Sequence, residues 1–178
     1  MVFELISSGF GGQGALTIGK FIAKAGMKEG KHVSWLPSYG PEMRGGTANV
    51  ATVISDIPVA SPIVTYPDVL IALNQPSLDK FADFVKKGGY VIANEDLCNK
   101  IPQIEGVRTI KAPLSKMAIA IGSDKVLNMI AIGIVIGLTD IIKYDTIESD
   151  LIAFLEKRNP ELLAMNLIAI KKGIELTK

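Results

Sequence analysis

A strand-length apolar run, a glycine-dense turn and a helix-spaced apolar stripe follow one another without a break at the start of this sequence. Phe3-Glu-Leu-Ile-Ser-Ser8 has the length and composition of a first strand, Gly9-Phe-Gly-Gly-Gln-Gly14 turns the chain, and Ala15, Ile18, Ile22 and Ala25 then recur at helical spacing. Gly30 ends the helix and His32-Val-Ser-Trp-Leu-Pro37 begins a second strand, so residues 3–37 predict one βαβ unit with a right-handed crossover. Such an opening commits the chain to a sheet with helices packed on its faces.

The rest of the sequence continues the alternation. Asn49-Val-Ala-Thr-Val-Ile-Ser55 is β-rich, and Asp56-Ile-Pro58 is expected to turn it towards a short extended piece at Ile63-Val64, forming a hairpin insertion. Val69-Leu-Ile-Ala-Leu73 reads as a buried strand. Ser77 is expected to cap a helix whose Leu78, Phe81, Phe84 and Val85 form one buried stripe, closed by Gly88-Gly89. Strands at Tyr90–Ala93 and Val107–Ile110 follow, then helices over 115–121, 124–137, 146–157 and 160–176, with Pro113 and Pro160 at their boundaries. The pattern predicts a three-layer, Rossmann-like α/β fold: a mostly parallel sheet with a hairpin insertion and a helical C-terminal third. With no repeat or flexible linker, residues 1–178 form a single domain in this reading. Ligands of such sheets gather beyond the carboxyl ends of the strands, where Gly9–Gly14, Ser38–Thr47, Asn74-Gln75 and Asn94–Asp96 are expected to meet.

Composition narrows the function. A formal charge of +1 with scattered Lys and Arg offers no broad field for nucleic acid or an anionic membrane. The single cysteine, Cys98, excludes an internal disulfide and cannot hold an iron–sulfur cluster, which usually takes four thiolates. Met1-Val-Phe-Glu-Leu-Ile lacks a basic leader and carries Glu4 inside its apolar stretch, so a cytoplasmic protein is expected. The longest uncharged apolar run, Val126 to Thr139, is shorter than the roughly 18–20 residues that span a bilayer. It reads as a buried helix whose Gly133 and Gly137 let a neighbouring helix or subunit approach closely.

Gly9-x-Gly11-x-x-Gly14 fits the dinucleotide fingerprint, in the strand–turn–helix context that its mechanism requires. Its helix N-terminus offers free N–H donors and partial positive charge to an anion. The acidic residue expected at the end of the second strand is missing: that strand ends in Pro37-Ser38-Tyr39, Glu29 precedes it and Glu42 lies beyond it. Autonomous NAD binding, a purely structural turn, and a phosphate or subunit contact therefore stand as alternatives. In the second glycine-rich loop, Tyr39–Thr47, Arg44 can fork onto a carboxylate or phosphate, Glu42 can orient it, and Gly45-Gly46 keep the approach open; the plainer reading is a solvated Arg44–Glu42 pair. Asn74 and Gln75 close a strand at the ligand edge or simply end it. His32 and Cys98 read as structural, since neither has a catalytic partner in view. No thiamine diphosphate motif, cysteine cluster or Gly-x-x-x-x-Gly-Lys-Ser/Thr is found.

Five segments in order, Gly9–Gly14, Ser38-Tyr-Gly-Pro-Glu-Met-Arg-Gly-Gly-Thr47, Val53-Ile-Ser-Asp56, Ser61-Pro-Ile63 and Pro67-Asp-Val-Leu-Ile-Ala-Leu-Asn74, resemble the gamma subunit of 2-oxoacid:ferredoxin oxidoreductases. The resemblance implies a multisubunit enzyme that oxidatively decarboxylates a 2-oxoacid with coenzyme A, giving acyl-CoA and CO₂ and reducing ferredoxin or a similar acceptor. It places thiamine diphosphate and Mg²⁺ on alpha and beta partner subunits, with iron–sulfur clusters also on partners, including a ferredoxin-like subunit. It assigns this chain no catalytic and no metal-binding residue. It implies a coenzyme A phosphate contact through Gly11–Gly14 and Arg44, and with the residue-level reading the candidate binding residues are Gly9, Gly11, Gly12, Gln13, Gly14, Tyr39, Glu42, Arg44, Gly45, Gly46 and Asn74. Tyr39, Met43 and Gly46 depart from the Phe-Phe-Gly-x-Glu-Arg-Arg-Gly form of pyruvate-type subunits, which favours a 2-oxoglutarate enzyme, with the branched-chain and aryl 2-oxoacid enzymes, whose subunits are similar, as alternatives. The rival readings are a free-standing NAD(P)-binding oxidoreductase and a purely structural assembly module.

Overall fold

Six strands form one sheet in the order β2-β3-β1-β4-β5-β6. The computed structural model describes residues 1–38 and 47–178, so residues 39–46 of the second loop lie outside the described residues. The strands are β1 (Val2–Phe10), β2 (His32–Ser38), β3 (Thr47–Ser55), β4 (Val69–Ala72), β5 (Tyr90–Asn94) and β6 (Arg108–Ala112). The helices are α1 (Ala15–Lys28), α2 (Gln75–Phe81), α3 (Leu114–Ile121), α4 (Leu127–Leu138), α5 (Tyr144–Leu155) and α6 (Pro160–Glu175). A 3-10 turn at Ala82–Phe84 prolongs α2, and another at Asp124–Val126 leads into α4.

The insertion differs from its expected form. β3 pairs antiparallel with β2, from His32↔Ser55 to Ser38↔Asn49, and with β1, from Val2↔Ser55 to Phe10↔Thr47. It therefore lies between the two strands of the expected βαβ unit, and its hairpin partner is β2 rather than Ile63-Val64, which is not a strand. Pro58, Pro62 and Pro67 punctuate the connection to β4 and supply no N–H for a ladder. β4, β5 and β6 continue the sheet parallel to β1, as expected.

β1, β4 and β5 feed two cores because their side chains alternate between faces. Leu5, Ile71, Ile92 and Ile110 join α1, α3, α4, α5 and α6 in the larger core. Ile6, Leu70 and Val91 point the other way, onto Leu78, Ala82, Val85 and Cys98. The helical C-terminal third is thus almost the whole of one outer layer. The expected stripe beyond α2 is only partly formed: Leu78 and Val85 are buried, but the helix tightens to 3-10 and leaves Phe84 exposed beside Tyr66.

The apolar run becomes α4, buried on every side across Met129–Val135. Its neighbour is α6 of the same chain. A β-carbon on Gly133 would land on the Ile170 carbonyl oxygen and 3.0 Å from Gly173 Cα, so the two backbones touch where both residues lack side chains. α5 is tied to α1 by Asp150, whose nearly buried carboxylate faces the ammonium groups of Lys24, at 3.5 Å, and Lys28. Among the described residues no helix is long and apolar enough to cross a membrane.

Cys98 is a packing thiol in the smaller core. Burial, reinforced by the Asp79 carboxylate, pushes its pKa up to about 11. The thiolate is the reactive form, so alkylation by iodoacetamide at pH 8 is expected to run about a hundredfold slower in the native protein than in urea-unfolded chain. Equal rates in a mass-spectrometric time course would contradict this placement.

Candidate functional site

The glycine turn ends β1 at the sheet's carboxyl edge and hands the chain to α1. Gly12 and Gly14 take φ of 91° and 86°, left-handed values that a side chain would strain. Gln13 N–H donates to the Phe10 carbonyl at 3.1 Å, tightening the turn, and Ile18 N–H donates to the Gly14 carbonyl at 3.0 Å as the first bond of the helix. Gly9 is glycine for a different reason. The Gln13 side chain folds back over it, and a β-carbon there would meet Gln13 Oε1 at 2.8 Å and Leu73 Cβ at 3.0 Å.

Among the described residues, no side chain caps the N-terminus of α1. Gly14, its N-cap, provides no side-chain acceptor, so the first-turn N–H groups of Ala15, Leu16 and Thr17 are without the capping partner most helices give them. The first turn carries no acidic residue to compensate the positive end of the helix dipole. An open cavity of about 250 Å³ lies against these donors, bounded by Phe10, Gly11, Gly12, Gly14, the first turn Ala15–Thr17, and Ala48 of β3. Backbone donors without a side-chain cap, flanking left-handed glycines and a first turn free of acidic residues suit a phosphate or carboxylate.

The second loop is anchored beside the first. Thr47, where β3 begins, pairs with Phe10, and Ser38, where β2 ends, pairs with Asn49. Tyr39, Glu42, Arg44, Gly45 and Gly46 themselves lie outside the described residues. The other site candidates come together: Gly9, Gly11, Gly12, Gln13 and Gly14 form the turn, and Asn74 reaches it from the end of β4. Asn74 is only 1% exposed. Its Oδ1 accepts from Ser77 N–H at 2.9 Å, and its Nδ2 donates to Gln13 Oε1 at 3.2 Å. Asn74, not the expected Ser77, therefore caps α2, and Ser77 instead accepts a 2.9 Å hydrogen bond from the Ser8 hydroxyl. Gln75 is spent locally, donating to Asp79 and to the Lys100 carbonyl and accepting from Lys100 N–H.

Asn94 was expected at this edge, whereas Asn128 escaped sequence reasoning. Asn94, buried at the end of β5, donates to Ser115 Oγ at 3.0 Å and ties β5 to the start of α3. Asn128 stands at the start of α4, its Cβ 3.4 Å from where a β-carbon of Gly14 would lie. The signal for Asn128 was its position as a lone amide within the apolar run.

The same geometry weakens the dinucleotide reading. The fingerprint needs the end of the second strand next to the glycine turn, where an acidic residue can reach a ribose. Here β3 intervenes, moving β2 two strand spacings from β1, roughly 10 Å. Among the described residues no three His, Cys, Asp or Glu side chains converge as a metal site would require. The single buried cysteine does not fit an iron–sulfur cluster.

The model of the pyruvate ferredoxin/flavodoxin oxidoreductase family matches residues 4–176, nearly the whole chain. The chain belongs to this family. Among relatives, it is 40% identical over 172 residues to ketoisovalerate oxidoreductase subunit VorA of Methanothermobacter thermautotrophicus, covering 94% of this chain and 35% of that one. It is 36% identical over 179 residues to 2-oxoglutarate synthase subunit KorC of Methanocaldococcus jannaschii, covering 98% and 94%. The family fold is therefore found both as a chain of about this length and as about a third of longer ones, the VorA relatives among them.

Solved structures of the family superpose closely. The keto/oxoacid ferredoxin oxidoreductase gamma subunit of Geobacter sulfurreducens PCA matches with a TM-score of 0.83 at 29% identity, covering 98% of both chains. The 2-oxoglutarate:ferredoxin oxidoreductase of Magnetococcus marinus, solved with 2-oxoglutarate, coenzyme A and succinyl-CoA bound, matches with a TM-score of 0.88 at 28% identity. There the match covers 99% of this chain and 31% of that one. The six-stranded α/β domain with its helical C-terminal third is thus similar in fold to a solved gamma subunit.

Proposed function

We propose that this chain is the gamma subunit of a multisubunit 2-oxoacid:ferredoxin oxidoreductase, with 2-oxoglutarate the favoured substrate. The complex converts a 2-oxoacid and coenzyme A to acyl-CoA and CO₂, passing two electrons to ferredoxin or a similar acceptor. In this reading the glycine turn holds a phosphate of coenzyme A at the α1 N-terminus, and Arg44 and Glu42 of the neighbouring loop complete the contact. Thiamine diphosphate, Mg²⁺ and iron–sulfur clusters reside on partner subunits. The observation that carries the proposal is the donor cluster at Gly11–Thr17, which among the described residues has no side-chain cap and no acidic residue in its first turn, set in the fold of this family.

Other features support an assembled state. The edge strand β2 leaves Trp35 and Leu36 exposed, and the irregular connection before β4 exposes Ile57, Ile63 and Tyr66. Apolar groups in that number are what a subunit interface covers. Relatives also carry this fold within a chain about three times as long.

Affinity purification of the tagged chain from its native cells is expected to bring down larger subunits with thiamine diphosphate and iron–sulfur spectra. The purified complex should turn over 2-oxoglutarate with a higher kcat/KM than 2-ketoisovalerate or pyruvate. A monomer that binds NADH or NADPH at micromolar concentration would favour the free-standing oxidoreductase instead.

A further inference from the structure

Gln13 and Asn74 are amides at the edge of a phosphate-sized cavity, which invites assigning them as ligand contacts. Their geometry points elsewhere. Neither lines the cavity. Two donors converge on Gln13 Oε1: Phe10 N–H at 2.6 Å and Asn74 Nδ2 at 3.2 Å. The Asn74 oxygen is already engaged by Ser77 N–H. Gln13 is thereby pulled back over Gly9, and only the missing β-carbon at that position leaves room.

The turn is consequently braced from behind. Without the brace, Gly11, Gly12 and Gly14 leave the backbone between β1 and α1 with wide conformational freedom. A donor cluster of backbone N–H groups binds an anion well only if it is held in place beforehand, since ordering a glycine turn on binding consumes binding energy. The brace reaches across the sheet edge. Asn74 caps α2 with one end of its amide and holds the glycine turn with the other, and Ser8 and Ser77 bond to each other beneath it.

We propose that the Asn74–Gln13 hydrogen bond is a positioning latch, which holds the glycine turn in its anion-binding conformation without touching the ligand. The inference rests on the coenzyme A reading above, and its test separates the two.

Asn74→Asp keeps the oxygen that caps α2 and replaces the donor to Gln13 with a second oxygen, so the latch is lost while the cap survives. Gln13→Met removes the latch from the other side. In the assembled complex without coenzyme A, either variant is expected to speed amide hydrogen exchange across residues 10–14, a change that loss of a direct ligand contact would not produce. Each should raise the KM for coenzyme A about five- to tenfold with kcat retained at saturation, the loss of one well-made hydrogen bond. The double variant should add nothing beyond Gln13→Met alone, which already removes the acceptor of the Asn74 bond together with that of Phe10 N–H. Unaltered exchange in Asn74→Asp would overturn the latch, as would faster exchange with an unchanged KM, or additive effects in the double variant. Thr17→Asp, which alters the cavity wall and leaves the latch intact, isolates the underlying reading. If it too leaves KM unchanged, the coenzyme A assignment fails, whereas a raised KM in Thr17→Asp alone removes only the latch.

Discussion

Replacing Gly133 with alanine is expected to lower the melting temperature by about 6–12 °C. The β-carbon would occupy the position of the Ile170 carbonyl oxygen on α6, with Gly173 Cα 3.0 Å away. Backbone, unlike the end of a flexible side chain, cannot swing aside, so the helices must separate and loosen contacts along their shared length. Overpacking of this kind costs about 3 kcal/mol at the upper end of its usual range. In a chain of this size each kcal/mol moves the midpoint by about 2–4 °C. Gly173→Ala meets the Ile130 carbonyl oxygen from the opposite side and should behave alike. Alanine at exposed Lys171, on the same helix, should shift the midpoint by no more than about 2 °C. Thermal melts by circular dichroism check this, and a midpoint for Gly133→Ala within 2 °C of the parent would mean that α4 and α6 do not pack backbone to backbone.

Thr17→Asp should separate binding from folding. Thr17 is the third residue of α1, where a carboxylate complements the helix dipole and adds up to about 1 kcal/mol of stability. The same carboxylate enters the cavity lined by the first-turn donors. At an effective dielectric near 20, one negative charge about 5 Å from a phosphate charge opposes binding on the order of 2 kcal/mol after screening by salt, about thirtyfold in affinity. Steady-state kinetics of the reconstituted complex should show the KM for coenzyme A raised by about that factor, with the KM for the 2-oxoacid unchanged. Thr17→Asn, equally polar but neutral, should stay within about threefold of the parent. An unaffected coenzyme A KM in Thr17→Asp would remove the glycine turn from the coenzyme site.

Much of this architecture could be read from residue order. The continuous apolar runs at Leu5-Ile6, Val69–Leu73 and Val91–Ala93 are strands buried on both faces, and parallel strands under helices on two sides require that composition. The helices of the C-terminal third begin and end within a few residues of the positions suggested by Pro113, Pro160 and the apolar spacing. The place of β3 was not legible. Alternation with a period of two identifies a strand and its inward face, but carries no label for the neighbour it pairs with. The apparent turn at Asp56–Pro58 drew attention to the wrong side of the strand.

At the site, the glycines announced the turn because their spacing has a conformational cause, fulfilled in the left-handed Gly12 and Gly14. Asn74 was visible as a polar residue ending a strand, yet sequence cannot say whether an amide faces a ligand or caps the next helix. That choice depends on where Gln13 and Ser77 fall in space. Asn128 was hidden for a related reason: its closeness to Gly14 arises from packing of α4 against α1, across more than a hundred residues of chain.

The central claim is that the turn from Gly9 to Thr17 takes the phosphate end of coenzyme A inside the assembled oxidoreductase. Hydrogen–deuterium exchange on the purified complex, with and without saturating coenzyme A, tests it most directly. Slowed exchange is expected in peptides covering residues 10–17 of this chain. Protection confined to the partner subunits, with residues 10–17 unchanged, would contradict it.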